Sequence, residues 1–268
     1  MASAPAFSLP LPADYLPRVM GHRGAKALAP ENTLSSMKAA AEAGATWVEF
    51  DVMLTGDRRP VLFHDDTLLR TTGRKGAMAK TPFAEVTALD ASLGFARRYG
   101  RRRAEDFHGR DDCRVPSLEE TVASLLDLGL TPNVEIKPTK GLAAETAEVA
   151  LAKLLELWPT DRLPPLISSF ERKSLAAAKR VAPHWPRGLL AEELPRDWRR
   201  AMAELECYSL HLDWQRTRRI DVAAVKAAGY AVAVYTVNGV RAGRRLLDKG
   251  VDCLITDRPD LLIPALDT

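Results

Sequence analysis

The feature that most narrows the fold is an ordered recurrence: short apolar runs of strand type alternate along the chain with alanine- and leucine-rich stretches of helix type. Strand candidates are Arg18–His22, Thr46–Val52, Pro60–His64, Pro132–Lys137, Pro165–Ser169, Arg187–Ala191, Cys207–Leu212, Tyr230–Val237 and Cys253–Thr256. Helix candidates lie near Leu34–Ala43, Ser117–Leu128, Ala143–Leu157, Lys173–Val181, Trp198–Leu205, Val222–Ala228 and Val240–Lys249. A β-then-α rhythm indicates a parallel sheet covered by helices, because parallel neighbours need a crossover connection. Over 268 residues the natural closure is a barrel of eight strands, a unit of roughly 250 residues. The expected class is α/β, a TIM-type (β/α)8 barrel forming one domain over 1–268. Nine runs are one too many. The connector Thr55–Arg59 is too short for a helical crossover, so either Thr46–Val52 and Pro60–His64 form a hairpin or the last run lies outside the barrel.

Some boundaries are signalled by capping chemistry. Asn32-Thr33 precedes the first helix and Gly44 follows it. Ser117 with Glu120 makes a capping-box pattern, and Gly129 and Pro132 end that helix. The stretch from Thr71 to Arg114 breaks the rhythm: it is rich in glycine and arginine, with weak periodicity. It is expected to be a small insertion after the third strand, over the active-site face. Its RRYGRRR run, Arg97–Arg103, is either a solvated basic loop or an attractor of anionic substrate.

Polar and charged residues interrupt the apolar runs at their C-terminal ends, where a parallel barrel carries its catalytic groups. Glu49 and Asp51 are two apart on one strand and share a face, while Val48, Phe50 and Val52 face the other way. Glu135 and Lys137 repeat this between Val134 and Ile136; they form either part of a site or a structural ion pair. Charges buried without partners cost several kcal/mol, roughly, so such a cluster calls for a counter-ion. An oxygen-only set suits Mg²⁺ or Ca²⁺ better than zinc. His22 and His64 follow apolar runs, each beside a charged residue, as a general acid and a general base would. Arg23 offers a forked donor that matches phosphate oxygens. His211 ends a strand, but a structural role is the simpler reading; His108 and His184 compel nothing.

The net charge of +3, from 38 basic and 35 acidic residues, does not suggest a nucleic-acid binder. Cys113, Cys207 and Cys253 show no CxxC spacing, which fits a reducing compartment. Met1–Leu16 contains no Lys or Arg and is interrupted by prolines, unlike an export signal. No apolar run approaches the roughly 18 residues of a membrane span. A cytoplasmic protein without stable membrane association is expected, its oligomeric state open.

Six blocks, in order, resemble the glycerophosphodiester phosphodiesterases within the phosphatidylinositol-phospholipase-C-like barrels. They are GHRGAKALAPENTL (Gly21–Leu34), VEFDVMLTGDRRPVLFHDDTLLRTT (Val48–Thr72), NVEIKP (Asn133–Pro138), SSF (Ser168–Phe170), YTVN (Tyr235–Asn238) and ITDRP (Ile255–Pro259). The likeness runs from about Gly21 to Pro259 and is nearest to the short cytosolic bacterial enzymes. It implies a metal-dependent barrel that hydrolyses deacylated phospholipids, such as glycerophosphocholine or glycerophosphoethanolamine, to sn-glycerol 3-phosphate and an alcohol. Glu49, Asp51 and Glu135 would be the metal ligands, and His22 and His64 the acid–base pair. Arg23 and Lys137 would clamp the phosphate, and Phe170 and Tyr235 would contact substrate, Tyr235 standing where tryptophan is common. Asn32 and Glu31 would order the first loop, with Glu31 near the metal. Three rivals remain: a lysophospholipase-D-like activity on acylated substrates, a Schiff-base barrel lyase using Lys137, and a non-catalytic phosphate-ligand binder.

Overall fold

The structure, a computed structural model, describes residues 11–12, 14–216 and 221–266. Most of Met1–Leu16, the stretch compared with an export signal, lies outside the described residues.

Eight parallel strands close on themselves. They are β1 (Val19–His22), β2 (Trp47–Leu54), β4 (Thr131–Ile136), β5 (Leu166–Ser169), β6 (Arg187–Ala191), β7 (Ser209–Asp213), β8 (Ala231–Tyr235) and β9 (Cys253–Thr256). They run in the order β1-β9-β8-β7-β6-β5-β4-β2, and β2 pairs back to β1. The ninth run, β3 (Pro60–Leu62), folds back antiparallel on the far end of β2, with Leu54 opposite Pro60. The surplus strand is therefore a hairpin arm. TGDRR fits this, because five residues can reverse the chain but cannot cross over a sheet.

Helices α1 (Leu34–Glu42), α6 (Leu118–Leu128), α7 (Ala143–Leu157), α8 (Arg172–Val181), α9 (Trp198–Glu204), α10 (Val222–Ala227) and α11 (Val240–Asp248) alternate with the strands, within a residue or two of the expected bounds. Thr33 caps α1 in a reciprocal box with Ser36, and Ser117 caps α6 in one with Glu120. Gly129, at φ 68°, ends α6 in the left-handed region that glycine occupies without a Cβ penalty. A last helix, α12 (Pro259–Leu266), opens on proline, whose fixed φ suits the first turn.

Each strand has two different faces. Val48, Phe50 and Val52 pack outward with Val134 and Ile136 against α7, whose Ala147, Ala150, Leu151 and Leu154 recur on one helical face and are all buried. A leucine buried this way contributes about 2 kcal/mol. On the inner face, the lower end of the barrel is plugged by Tyr15, Met20, Trp47, Leu166 and Ile255. Tyr15 meets the rings of Trp47 and Tyr208 edge-on, each at 5.1 Å, and its hydroxyl donates to the Pro164 carbonyl at 2.7 Å. With that end sealed by apolar rings, the polar inner-face residues collect at the other.

The insertion is more ordered than its sequence suggests. It holds α2 (Leu69–Thr72), α3 (Phe83–Thr87), α4 (Ser92–Tyr99) and α5 (Arg101–Ala104), besides two 3-10 turns. None of α2, α3 or α4 has a side-chain N-cap bond, and each is eight residues or fewer. Segments so short carry too few repeats for a helical period to show.

Candidate active site

The first loop is forced into place by what cannot fit. A Cβ on Gly21 would lie 2.2 Å from the Gly24 carbonyl, and Gly24, at φ 80°, packs against Ser36. Only glycines permit the sharp turn that carries His22 and Arg23 over the barrel rim. The Arg23 amide, exposed by that turn, donates to Glu49 Oε2 at 2.9 Å. Asn32, in PENT, donates to Asp51 Oδ2 at 2.9 Å and accepts from the Asp51 amide at 3.2 Å. The loop and strand β2 thus fix each other.

Register assembles the carboxylates. His22 lies beside Glu49 across β1 and β2, and Asp51 beside Glu135 across β2 and β4. One oxygen from each of Glu49, Asp51 and Glu135 lies within 4.8 Å of the others, and all three residues are buried. Burial and its two acidic neighbours hold the Glu49 carboxyl well above the usual carboxylate range, while burial and Asp51 push Glu135 up to about 7. Asp51 goes the other way: burial opposes its charge, but Arg23, His64, Lys137 and Asn32 together lower it. Glu49 Oε1 is buried with no hydrogen-bond partner. An orphaned carboxylate oxygen facing two other carboxylates is the signature of a cation site, so the residues fit a divalent ion.

Both predicted histidines line one cavity of about 500 Å³ above this cluster, with Arg23, Glu49, Glu135, Lys137, Phe170 and Tyr235. Asp51, the third member of the cluster, does not line it. His22 Nδ1 meets Asp257 Oδ1 at 2.6 Å, and Nε2 is 3.9 Å from Glu49 Oε2. His64 Nδ1 meets Asp65 Oδ1 at 2.6 Å. Burial and Arg23 lower the His22 pKa, against the pull of Asp257. Burial would raise Asp257, yet the His22 bond and charge bring it down to about 2.

The residues expected to bind substrate, Arg23, Lys137, Phe170 and Tyr235, all line this cavity. Arg23 pairs with Glu31 at 2.7 Å and Asp51 at 3.2 Å. Lys137 Nζ lies 3.1 Å from Glu135 and 3.8 Å from Asp51. Its burial disfavours the charge, but those two carboxylates hold its pKa above the usual lysine value; a Schiff-base nucleophile needs the opposite. The Phe170 and Tyr235 rings meet edge-on at 6.0 Å, and Lys137 sits 5.6 Å over Phe170. The Glu31 carboxylate, in the first loop, is held by Arg23, Arg70 and Lys26. His211 is fully buried, bonded to Ser209 Oγ at 2.8 Å, and does not line the cavity.

Two residues within the quoted blocks have positions that spacing could not reveal. Asp257, in ITDRP, supports His22. Asn238, in YTVN, donates to Asp257 Oδ2 at 2.9 Å and accepts from the Asp257 amide at 2.8 Å. The cysteines Cys113, Cys207 and Cys253 are buried and free, away from the acidic cluster.

The sequence profile of the glycerophosphoryl diester phosphodiesterase family matches residues 22–261. The chain belongs to this family. A glycerophosphodiester phosphodiesterase of Caldanaerobacter subterraneus is 34% identical over 91% of this chain and 96% of its own length. One of Bacillus subtilis is 28% identical over 90% of this chain and 84% of its own. A phosphodiesterase of Oleispira antarctica, solved in complex with the product sn-glycerol 3-phosphate, superimposes with a TM-score of 0.86. It is 37% identical to this family member, over 95% of this chain and 98% of that one. Among the described residues no helix is long and apolar enough to cross a membrane.

Proposed function

We propose that the chain hydrolyses glycerophosphodiesters to sn-glycerol 3-phosphate and a free alcohol, with Mg²⁺ or Ca²⁺ held by Glu49, Asp51 and Glu135. The carrying observation is the convergence of that carboxylate cluster with His22 and His64 in one cavity. Family membership and the product-bound Oleispira relative support the substrate class. The all-oxygen donor set favours a hard cation. When bound, the cation supplies Lewis-acid neutralisation of charge on the phosphoryl oxygens.

The chain's own residues do the rest. Arg23 and Lys137 line the cavity as fixed positive charges, placed to offset the charge that grows on the phosphoryl group. Arg23 is braced by Glu31 and Asp51, so it arrives ordered. A carboxylate on each Nδ1 leaves Nε2 as the ring atom that exchanges a proton with substrate. One imidazole takes the proton of the nucleophile, water or the neighbouring glycerol hydroxyl; the other gives a proton to the departing alcohol oxygen. Phe170 and Tyr235 form the wall against which the substrate rests. Three free buried cysteines fit a cytoplasmic setting.

A coupled assay for glycerol 3-phosphate release from glycerophosphocholine and glycerophosphoethanolamine tests this. Release that stops with chelator and returns with Mg²⁺ or Ca²⁺ is expected; no release with either metal would refute it. ³¹P spectra of the same reactions separate the nucleophiles, since only the glycerol hydroxyl passes through a cyclic phosphate.

A further inference from the structure

Beside the reaction cavity lies a second one of about 490 Å³, and the two share Arg23 and His64. It is bounded by the first loop, α2 and α4. Lys26, Arg70, Arg97 and Arg98 line it with Arg23, and Glu31 is the one carboxylate among its lining residues. That carboxylate is already shared: Arg23 lies 2.7 Å from it, Arg70 2.6 Å and Lys26 3.7 Å. Arg70 and Arg23 have further acidic partners in Asp65 and Asp51. Arg97 donates through Nη1 alone to the neutral carbonyls of Leu69 and Arg70. Arg98 is exposed and contacts the Tyr99 hydroxyl. The cleft therefore keeps a surplus of positive charge directed at a ligand-sized space.

The surplus is held in place. Phe95 of α4 packs on Tyr99 at 4.9 Å and edge-on against Phe107 at 5.2 Å. Arg103 lies over both Phe95 and Tyr99 and bonds the Ala27 carbonyl, tying α4 to the first loop. At the other end of the mouth Glu171 and Glu192, the latter paired with Arg216, stand beside Phe170 and Tyr235. A phosphodiester lying between the two imidazoles has two arms, and these ends differ in sign. Neutral glycerol hydroxyls can donate to the acidic end. An anionic arm is repelled there and attracted to the cleft.

We propose that the cleft lined by Lys26, Arg97 and Arg98 is a subsite for a second anionic group, a phosphate ester or a carboxylate, on the alcohol part of the substrate. The preferred substrates are then glycerophosphodiesters whose alcohol carries its own negative charge, ahead of those ending in choline. This rests on the glycerophosphodiesterase reading above.

The test compares bis(glycerophospho)glycerol, whose alcohol bears a second phosphodiester, with glycerophosphocholine on the metal-loaded protein. The wild type should favour the former in kcat/KM by about tenfold or more, the worth of one charge-assisted contact, and added salt should narrow the gap. Arg98→Gln with Arg97→Gln, both exposed on α4, should remove that preference, lowering turnover of the dianion about tenfold and leaving glycerophosphocholine within about twofold. Arg98→Gln alone, an exposed change on α4, should give part of the shift with the fold intact. Equal effects on both substrates, or none, would overturn the subsite. If neither substrate is cleaved, the reaction assignment fails and calorimetry decides the cleft. Titration of bis(glycerophospho)glycerol in chelator should then be about tenfold weaker for the double variant; equal affinity would overturn it.

Discussion

His22 and His64 show the same arrangement, Nδ1 meeting a carboxylate at 2.6 Å, built in two regions by different means. On the barrel side, His22 at the end of β1 meets Asp257 just past β9, 235 positions away. The pair exists only because β1 and β9 close the barrel, Gly21 lying beside Thr256, and Asn238 holds Asp257 from behind. On the insertion side, His64 meets its neighbour Asp65, held in turn by Arg70 of α2. The side chains of His22 and Asp257 are 14% and 12% exposed, those of His64 and Asp65 28% and 21%. A hydrogen bond between charges is worth more where water is excluded. The barrel-side pair should be the rigid one and the insertion-side pair the more replaceable one.

The largest effect expected is from removing either imidazole. His22→Ala and His64→Ala should each cut kcat by about 10²–10⁴-fold, with metal affinity by calorimetry little changed. An active His64→Ala would break the comparison by leaving one working side. Next is Asp257→Asn, expected to lower kcat by about a hundredfold, in line with the loss of an orienting carboxylate. It also has a pH signature. Burial and Arg23 already lower the His22 pKa, and Asp257 is the group that raises it. Without that charge the value falls further, so the limb of the pH–rate profile that belongs to His22 moves to lower pH whichever role His22 has. An unmoved profile would mean that His22 does not set either limb. Asp65→Asn should cost less, about tenfold, because a partly exposed imidazole can exchange its partner for water. Equal losses at Asp257 and Asp65 would erase the distinction between the regions. Smallest is Asn238→Ala, a few-fold decrease in kcat with KM unchanged, since Asn238 touches Asp257 and does not line the cavity.

The same contrast explains what the sequence made legible. The barrel was readable because its period-two strands and capped helices are local patterns: Val48, Phe50 and Val52 announce an outer face, and Ser117 with Glu120 announces α6. Glu49 with Asp51 was readable because a spacing of two fixes a shared face. The His64–Asp65 contact joins neighbours in the chain. The His22–Asp257–Asn238 chain was not readable by pattern, since each member gains its meaning only from barrel closure. Nor was α12, whose Pro264 interrupts the helical signal, or the short helices of the insertion. The partners of Glu31 were also beyond the reach of spacing. Arg23, Arg70 and Lys26 surround it and hold its carboxyl far below the usual range despite its burial.

Both imidazoles can serve the reaction only if β2 and β4 hold a cation within their reach. A crystal grown with Mn²⁺ and measured at its absorption edge tests this most directly. The expected result is one strong anomalous peak about 2.0–2.4 Å from oxygens of Glu49, Asp51 and Glu135, in the cavity that His22 and His64 line. A peak elsewhere, or an ordered carboxylate cluster with no peak at saturating Mn²⁺, would contradict it.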